Sequence, residues 1–261
     1  MNIVVLVKQV PDSSAERSLR SDDNTVDRGS VSSVINEMDE YAIEEALRVQ
    51  QAHGGEVTIL TMGPVGASES IRKALSMGPD RAVHVLDDGL HGSCALATSR
   101  VLAAVLGRLG PDLVLCGAES TDGRVQVMAH MLAERLGVAA LTGARKLTVE
   151  GGLLTIERQT EEGVEVVAAQ APAVVSVWDT INEPRYPSFK GIMAAKKKPV
   201  QTLSLADLGV AAGEVGAAGA SSAVVGQSRR PPRSGGVKIT DEGAGGVRLV
   251  EFLASERASD L

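Results

Sequence analysis

Aromatic residues are scarce in this sequence, which has one Trp, two Tyr and two Phe among 261 residues. Because 44% of the residues are nevertheless hydrophobic, the core must be built from Val, Leu, Ile and Ala. Such aliphatic cores are typical of parallel sheets that helices cover on both faces. A chain of this length holds one large core, or one domain with an appendage.

Cysteine is scarce as well. Cys94 and Cys116 are the two cysteines, and they lie far apart and outside any C-x-x-C pattern. This argues against a disulfide framework and against a metal site. No apolar run approaches the length that spans a bilayer, and the opening MNIVVLVKQV lacks the tripartite plan of a signal peptide. We therefore expect a reduced, cytoplasmic protein that neither spans a membrane nor holds a metal.

The sequence also lacks an excess of positive charge and the common catalytic motifs. The net charge of −7 argues against nucleic acid as the partner, because neutralising phosphates requires basic patches. The sequence has no G-x-S-x-G elbow, no P-loop lysine motif and no H-E-x-x-H helix. The four histidines are scattered and favour structural roles: His53, His84, His91 and His130. We expect a protein without catalytic residues of its own.

The first half of the chain alternates between strand and helix patterns. Short aliphatic runs predict strands at Asn2–Val7, Val57–Met62, Ala82–Leu86 and Leu113–Cys116. Apolar residues at helical spacing, ended by glycine, predict helices at Asp39–Ala52, Ser68–Met77, Ser93–Leu109 and Arg124–Leu136. This alternation predicts an α/β fold with a doubly wound, Rossmann-like parallel sheet.

The second half follows a different pattern. Three strand-like runs separated by glycine-containing turns predict an antiparallel β-meander, and a further buried strand follows: Arg145–Val149, Leu153–Arg158, Val164–Ala169 and Ala173–Val177. Residues 211–236 are rich in Ala, Gly and Ser and predict a flexible arm, with a short amphipathic helix at Val247–Glu256. We expect an α/β core at residues 1–198 and a C-terminal arm at residues 199–261.

Ligands of open parallel sheets bind beyond the carboxyl ends of the strands. Four segments of this chain leave such ends: Lys8–Asp12, Asn36–Asp39, Met62–Pro64 and Gly117–Gln126. The last joins a strand to a helix through small and polar residues, so a helix N-terminus there offers N–H groups to a phosphate. A purely structural loop has the same composition, so the spacing alone leaves both interpretations open.

Residues 182–198, NEPRYPSFKGIMAAKKK, combine three chemistries. Pro184 and Pro187 disfavour helix in the residues before them, which predicts an extended, stiffened loop. Tyr186 and Phe189 are aromatic residues with few neighbours, and three lysines follow. The segment is either a linker with a solvated basic end or a docking loop with an aromatic anchor.

The same segment resembles the signature of the electron transfer flavoprotein beta subunit. Further matches run along the chain in order, over about residues 1–210: VKQVPD at Val7–Asp12, NEMDEYAIEEALR at Asn36–Arg48, IRKALSMGPDRAVHV at Ile71–Val85 and GAESTDG at Gly117–Gly123. The tail is only loosely similar.

This resemblance implies an electron carrier with an adenine-nucleotide-binding type of fold. Its obligate partner would be an electron transfer flavoprotein alpha subunit, which holds most of the FAD and which the C-terminal arm would wrap. The pair would take electrons from acyl-CoA dehydrogenases and other dehydrogenases in fatty acid oxidation, and pass them to a quinone oxidoreductase.

The resemblance also implies AMP as a structural cofactor of this subunit. The implied cofactor-binding residues are Leu6, Val7, Lys8, Asn36, Glu37, Met38, Asp39, Met62, Gly117, Ala118, Glu119, Ser120, Thr121, Asp122, Gly123, Arg124, Val125 and Gln126. Family members commonly carry Thr-Gly-Gln after the Asp-Gly pair, whereas this chain has Arg124-Val125-Gln126. Arg124 replaces the lost hydrogen bonds with a charge-assisted one, or the site is weakened or empty.

Three alternatives remain beside this interpretation. An electron-bifurcating beta subunit would hold a second FAD in the same site. A nucleotide-hydrolysing or nucleotidyl-transferring enzyme on this fold would carry Ser-Gly-Gly-x-Asp-Ser or His-x-Gly-His after the first strand, where this chain has KQVPD. A nucleotide-sensing stress protein would not account for the long tail.

In the family, residues 182–198 form the recognition loop, whose leucine enters an apolar pocket of the dehydrogenase. Phe189 stands at the matching position. The implied partner-docking residues are Arg185, Tyr186, Pro187, Phe189, Ile192, Met193, Lys196, Lys197 and Lys198. The lysines would steer an acidic partner, an effect that salt screens.

Overall fold

The computed structural model of the protein describes residues 1–228, 230–232, 236, 238 and 240–259. The chain forms two compact units, Met1–Val225 and Gly226–Leu261. Within the described residues, no helix has both the length and the apolar character needed to cross a bilayer.

Eleven strands lie in the first unit. They are β1 Asn2–Leu6, β2 Gln9–Pro11, β3 Ser33–Ile35, β4 Glu56–Met62, β5 Arg81–Val85, β6 Leu113–Gly117, β7 Ala139–Glu150, β8 Leu153–Thr160, β9 Gly163–Gln170, β10 Ala173–Val177 and β11 Val200–Leu203. Nine of them form one sheet in the order β11-β5-β4-β1-β6-β10-β7-β8-β9. Pairing is parallel from β11 to β7 and antiparallel from β7 to β9. The predicted parallel sheet and meander are therefore confirmed.

Seven α-helices accompany the strands in the described residues. They are α1 Glu37–His53, α2 Ser68–Met77, α3 Ala95–Leu109, α4 Met128–Leu136, α5 Phe189–Ala195, α6 Leu205–Leu208 and α7 Gly245–Ser259. Side chains alternate along each strand, so Ile3 and Val5 of β1 pack with α1 and α2, whereas Val4 and Leu6 pack with α3 and α4. The sheet is thus covered on both faces, and the largest fully buried side chains are all Ile or Leu, as the scarcity of aromatic residues predicts.

The β-meander grows out of the parallel sheet through one long strand. The first half of β7 pairs parallel with β10, and its second half pairs antiparallel with β8. Gly143, at φ 75°, lies at the irregularity of the pairing between β7 and β10, since this left-handed conformation favours glycine. The predicted strand Arg145–Val149 is therefore only the second half of β7.

Two predicted elements differ from the structure. Helix α4 begins at Met128, not at Arg124, because Arg124 (φ 47°) and Gln126 (φ 58°) adopt left-handed backbone conformations that a right-handed helix excludes. Phe189–Ala195 is helical, although the prolines predicted an extended loop. The Ser188 side chain caps this helix by accepting a hydrogen bond from the Gly191 N–H at 3.0 Å.

The core extends beyond the predicted boundary at residue 198. Strand β11 pairs with β5 at one edge of the sheet, and Leu205, Leu208 and Val215 are buried with the α3 face of the core. Because Leu205, Leu208 and Val215 belong to the main core, the first unit continues to Val225. The predicted arm includes residues 229 and 233–235, which lie outside the described residues.

The second unit is built around α7, which contains the predicted Val247–Glu256 helix. Its apolar side chains are exposed, with relative exposures of 45% or more: Val247, Leu249, Val250, Phe252 and Leu253.

One buried carboxyl group joins three elements of the core at the carboxyl edge of the sheet. Asp39, in the first turn of α1, accepts hydrogen bonds from the Lys8 N–H after β1 at 2.8 Å, from the Asn36 side chain at 2.9 Å and from the Gly117 N–H at the end of β6. Burial raises the pKa of Asp39 to about 7, against an ordinary value of 3.8. The folded protein therefore keeps this proton at pH values where the unfolded chain loses it.

This difference makes the stability contribution of Asp39 depend on pH. Its protonated form stabilises the fold fully below about pH 4, and this stability is lost as the pH rises through about 7. Asp39→Asn lacks the titration, so its unfolding free energy relative to the native protein should rise across this window, by at most about 1.4 kcal/mol per pH unit. Urea unfolding at a series of pH values measures the difference.

Asp22→Asn is the control for this experiment. Hydrogen bonding to Arg20 lowers the pKa of the exposed Asp22, so this variant should show no such rise. A difference between Asp39→Asn and the native protein that stays constant from about pH 4 to 8 would contradict the prediction.

Candidate nucleotide site and docking surface

The reversal of strand order lies between β1 and β6. Within the large sheet, the next strands along the chain after β1 are β4 and β5, and they lie on one side of β1. Strands β6 and β10 lie on its other side. In sheets of this kind, the crevice at the reversal is where ligands bind. The segments that leave β1 and β6 here are Val7-Lys8 and the loop of residues 118–127, called the β6–α4 loop.

The side chain of Asn36 fixes the first half of the β6–α4 loop. Its Nδ2 donates to the Glu119 carbonyl oxygen at 3.0 Å and to Asp39, and its Oδ1 accepts from the Thr121 N–H at 3.1 Å. Asn36 is only 1% exposed, so these hydrogen bonds form away from water, where breaking one is costly. Asn36 therefore holds the loop in place and is not free to contact a ligand through the same atoms.

Asp122 is the electrostatic centre of the loop. Its carboxylate accepts from Lys8 Nζ at 2.7 Å on one oxygen and from Arg28 Nη2 at 2.6 Å on the other, and its side chain is 1% exposed. Burial alone would raise the pKa of Asp122, but the charge of Lys8 and the hydrogen bonds from Lys8, Ser120 and Arg28 hold that pKa well below its usual range. Asp122 is therefore ionised and holds two cations beside the loop.

Gly117 is required for packing within the protein. A Cβ atom there would lie 2.5 Å from Met38 Cβ and 2.7 Å from Asp39 Oδ1. The sequence interpretation, in which small residues let the backbone approach a ligand, does not apply to this glycine, because α1 already occupies the space.

The residues that depart from the family pattern lie at the outer end of the loop. Glu119 accepts from Gln126 Nε2 at 2.6 Å, and its other oxygen lies 4.0 Å from Arg124 Nε. Arg124 is 71% exposed at its side chain, and Val125 is also exposed. Helix α4 follows with no side chain capping its first turn. No side-chain cap therefore satisfies the leading N–H groups of α4.

The remaining predicted cofactor-binding residues occupy varied positions. Leu6 and Val7 are buried in opposite faces of the core, so only their backbone can face a ligand. Met62 ends β4, half-buried, and Glu37 and Met38 lie in the first turn of α1. Ala118 donates its N–H to Val177, and the loop hydroxyl of Thr121 is buried without a hydrogen-bond partner.

Two arginines that sequence analysis missed also contact the loop. Arg28 binds Asp122, and Arg17 Nη1 donates to the Thr121 carbonyl oxygen. Both come from the segment of residues 12–32 that joins β2 to β3. They are separated from their partners by 94 and 104 residues, so no local pattern could have indicated the contacts.

The predicted docking residues fall into two groups. Arg185 and Lys198 anchor the segment internally: Arg185 forms a bidentate ion pair with Glu44 at 2.6 and 3.0 Å. Lys198 Nζ donates to the carbonyl oxygens that end α2, those of Leu75, Gly78 and Pro79. Burial lowers the pKa of Lys198, so this lysine is not the solvated charge that the sequence predicted. Lys196 and Lys197 are exposed.

The second group forms an exposed apolar face. Tyr186 is 93% exposed and Phe189 81%, and Ile192 and Met193 on the same helix are nearly half exposed. Phe189 therefore does not fold back onto the core. We call this surface, Tyr186 with Phe189, Ile192 and Met193, the docking face.

An open cavity of about 610 Å³ adjoins the docking face between α2 and α5. It is lined by Arg72, Lys73, Ser76, Pro187, Ile192, Ala195 and Lys196. The described residues include no cluster of three or more His, Cys, Asp or Glu side chains able to hold a metal ion.

Comparison with known proteins identifies the family. The model of the electron transfer flavoprotein domain matches residues 23–208. The chain is 51% identical to the electron transfer flavoprotein subunit beta of Mycobacterium leprae and 50% identical to that of Mycobacterium tuberculosis, over 98% of each chain. It is 38% identical to the protein FixA of Azorhizobium caulinodans, over 80% of this chain and 77% of FixA. The chain thus belongs to the electron transfer flavoprotein beta subunit family.

Proposed function

We propose that this chain is the beta subunit of a heterodimeric electron transfer flavoprotein. The observation that carries the proposal is the match to beta subunits over 98% of the chain. Its partner is an electron transfer flavoprotein alpha subunit that holds most of the FAD, which accepts and passes on electrons. The heterodimer takes electrons from acyl-CoA and other dehydrogenases and delivers them to a quinone oxidoreductase. The cytoplasmic location stays a prediction.

The role of this chain is then to support the complex and to bind its partners, without catalytic residues of its own. Its docking face is exposed and its anchors are internal, which suits a surface that meets successive partners. Co-expression with an alpha subunit tests the proposal: a yellow complex that accepts electrons from a dehydrogenase is expected. A colourless, stable homodimer that hydrolyses ATP would favour a nucleotide-hydrolysing protein instead.

The site at the β6–α4 loop would hold AMP. The residues fit a phosphate-bearing nucleotide, since Lys8 contacts the β6–α4 loop, Arg124 lies within it and the uncapped start of α4 follows it, and these groups supply donors and positive charge. The buried Thr121 hydroxyl without a partner is a further group for a ligand to satisfy. The change from Thr-Gly-Gln to Arg124-Val125-Gln126 replaces neutral donors with a charged side chain in the same loop.

Nucleotide content tests this assignment. Acid release from the purified heterodimer should yield one FAD and one AMP, because the phosphate donors at the β6–α4 loop are built from residues of this chain. Chromatographic quantification measures both. Two FAD and no AMP would identify the electron-bifurcating type, and one FAD without AMP would mean that Arg124-Val125 has emptied the site.

The docking face supports the role of Phe189 as an anchor. Aromatic anchors commonly dominate interface energies, and Phe189 lies at the start of a helix whose ends are fixed. A preorganised anchor loses little conformational freedom on docking. Removing it should therefore affect the partner complex more than the folded protein.

Phe189→Ala should weaken dehydrogenase binding by roughly 2 kcal/mol or more, the range of binding hot spots. The flavin spectrum and the reduction of the flavin by dithionite should remain unchanged, because Phe189 is 81% exposed. Phe189→Leu is the matched control and should retain most of the coupling. A large fall in melting temperature with normal coupling per folded molecule would show that Phe189 supports the fold instead.

The second unit would wrap the alpha subunit. The apolar side chains of α7 are exposed, so a partner surface could cover them. Ordering such a segment on a partner exchanges conformational entropy for contact area.

Truncation after Val225 tests this arm. The shortened chain retains the whole nine-stranded sheet, so it should still bind AMP but associate more weakly with the alpha subunit. Titration calorimetry with AMP and analytical ultracentrifugation of the mixed subunits measure the two properties. Equal affinity of full-length and truncated chains for the alpha subunit would exclude the arm role.

A further inference from the structure

The segment of residues 12–32 contacts the β6–α4 loop through two guanidinium groups. Arg28 Nη2 lies 2.6 Å from Asp122 Oδ2, and Arg17 Nη1 donates to the Thr121 carbonyl oxygen. The two arginines thus lie over consecutive residues of the loop. The composition of the segment does not require these contacts with the loop, because its third arginine, Arg20, instead pairs locally with Asp22 at 2.7 Å.

The charges around Asp122 do not cancel. Two cations, Lys8 and Arg28, share one carboxylate, and Arg17 is bound to a neutral carbonyl oxygen. Lys8 and Arg28 are also 42% and 37% exposed at their side chains, although Asp122 between them is almost completely buried. Lys8 Nζ also donates to the neutral Ser120 hydroxyl at 3.2 Å, so the cluster carries excess positive charge on two partly exposed side chains.

We propose that Arg17 and Arg28 form part of the nucleotide site, where they bind the phosphate of the ligand together with Lys8. Asp122 is the positioning residue that holds Lys8 and Arg28 at a fixed spacing. This inference rests on the proposed function, because it assigns the phosphate contacts of the same site. It extends the site from the strand ends to the segment of residues 12–32.

The chemistry favours a phosphate monoester as the bound group. Guanidinium groups bind phosphate oxygens in a bidentate manner and remain charged at all accessible pH values. The uncapped N-terminus of α4 and the buried Thr121 hydroxyl lie in or next to the same loop and supply neutral donors. A nucleoside without phosphate would gain nothing from the arginines, so they determine specificity for nucleotide over nucleoside.

The test compares AMP with adenosine on the purified heterodimer after its bound nucleotide has been removed. Arg28→Gln and Arg17→Gln should each lower AMP affinity about tenfold or more, while adenosine affinity stays unchanged. The AMP affinity of the variants should also depend less on salt, because fewer charges meet the phosphate. Isothermal titration calorimetry measures both ligands.

Arg20→Gln is the matched control, because Arg20 lies in the same segment and pairs only with neighbouring aspartates in the described contacts. Its AMP affinity should equal that of the native complex. Arg28→Lys keeps the charge on Asp122 and should recover part of the affinity, which separates phosphate binding from folding of the loop.

Three results would overturn the inference. AMP and adenosine affinities could fall by the same factor, which would make the arginines purely structural. AMP affinity could remain unchanged in both glutamine variants. The native complex could bind no AMP although its flavin still accepts electrons from a dehydrogenase, in which case the carrier function stands and this assignment fails. Loss of that electron transfer in the native complex would instead refute the proposed function.

Discussion

The buried carboxyl group of Asp39 is the interaction on which the rest of the site depends. It joins the end of β1, the start of α1 and the end of β6, the three elements that meet where the strand order reverses. Asn36 extends the connection to the β6–α4 loop through two backbone contacts. Gly117 permits the close approach of α1 that this arrangement needs. A loop of ten residues without regular secondary structure is thereby held to the two central strands β1 and β6.

The ion pairs of Asp122 then determine which charged side chains lie beside this loop. Asp122 is buried and ionised because Lys8 and Arg28 supply two positive charges to it. Buried charges of this kind are stable only when their partners are held with good geometry. The consequence is that the protein itself holds the Lys8 and Arg28 side chains in place beside the loop.

Most of the fold could be predicted from the sequence, because it depends on local patterns. The aliphatic runs of β4 and β6 and the glycine-ended helices α2 and α3 lie within two residues of their predicted bounds. The errors occurred where tertiary contacts outweigh local preference. Helix α5 forms after Pro187 because Ser188 caps it and Lys198 and Arg185 fix the segment to α1 and α2. The contacts of Arg17 and Arg28 were not predictable, since they join parts of the chain about a hundred residues apart.

The separation between internal anchors and exposed docking face has an evolutionary consequence. The side chains that hold α5 in place, Arg185 and Lys198, point into the protein, whereas Tyr186 and Phe189 make almost no contribution to its core. Substitutions on the exposed side of the helix therefore change stability little. Such a surface can therefore vary by single amino-acid replacements while the scaffold beneath it stays under constraint.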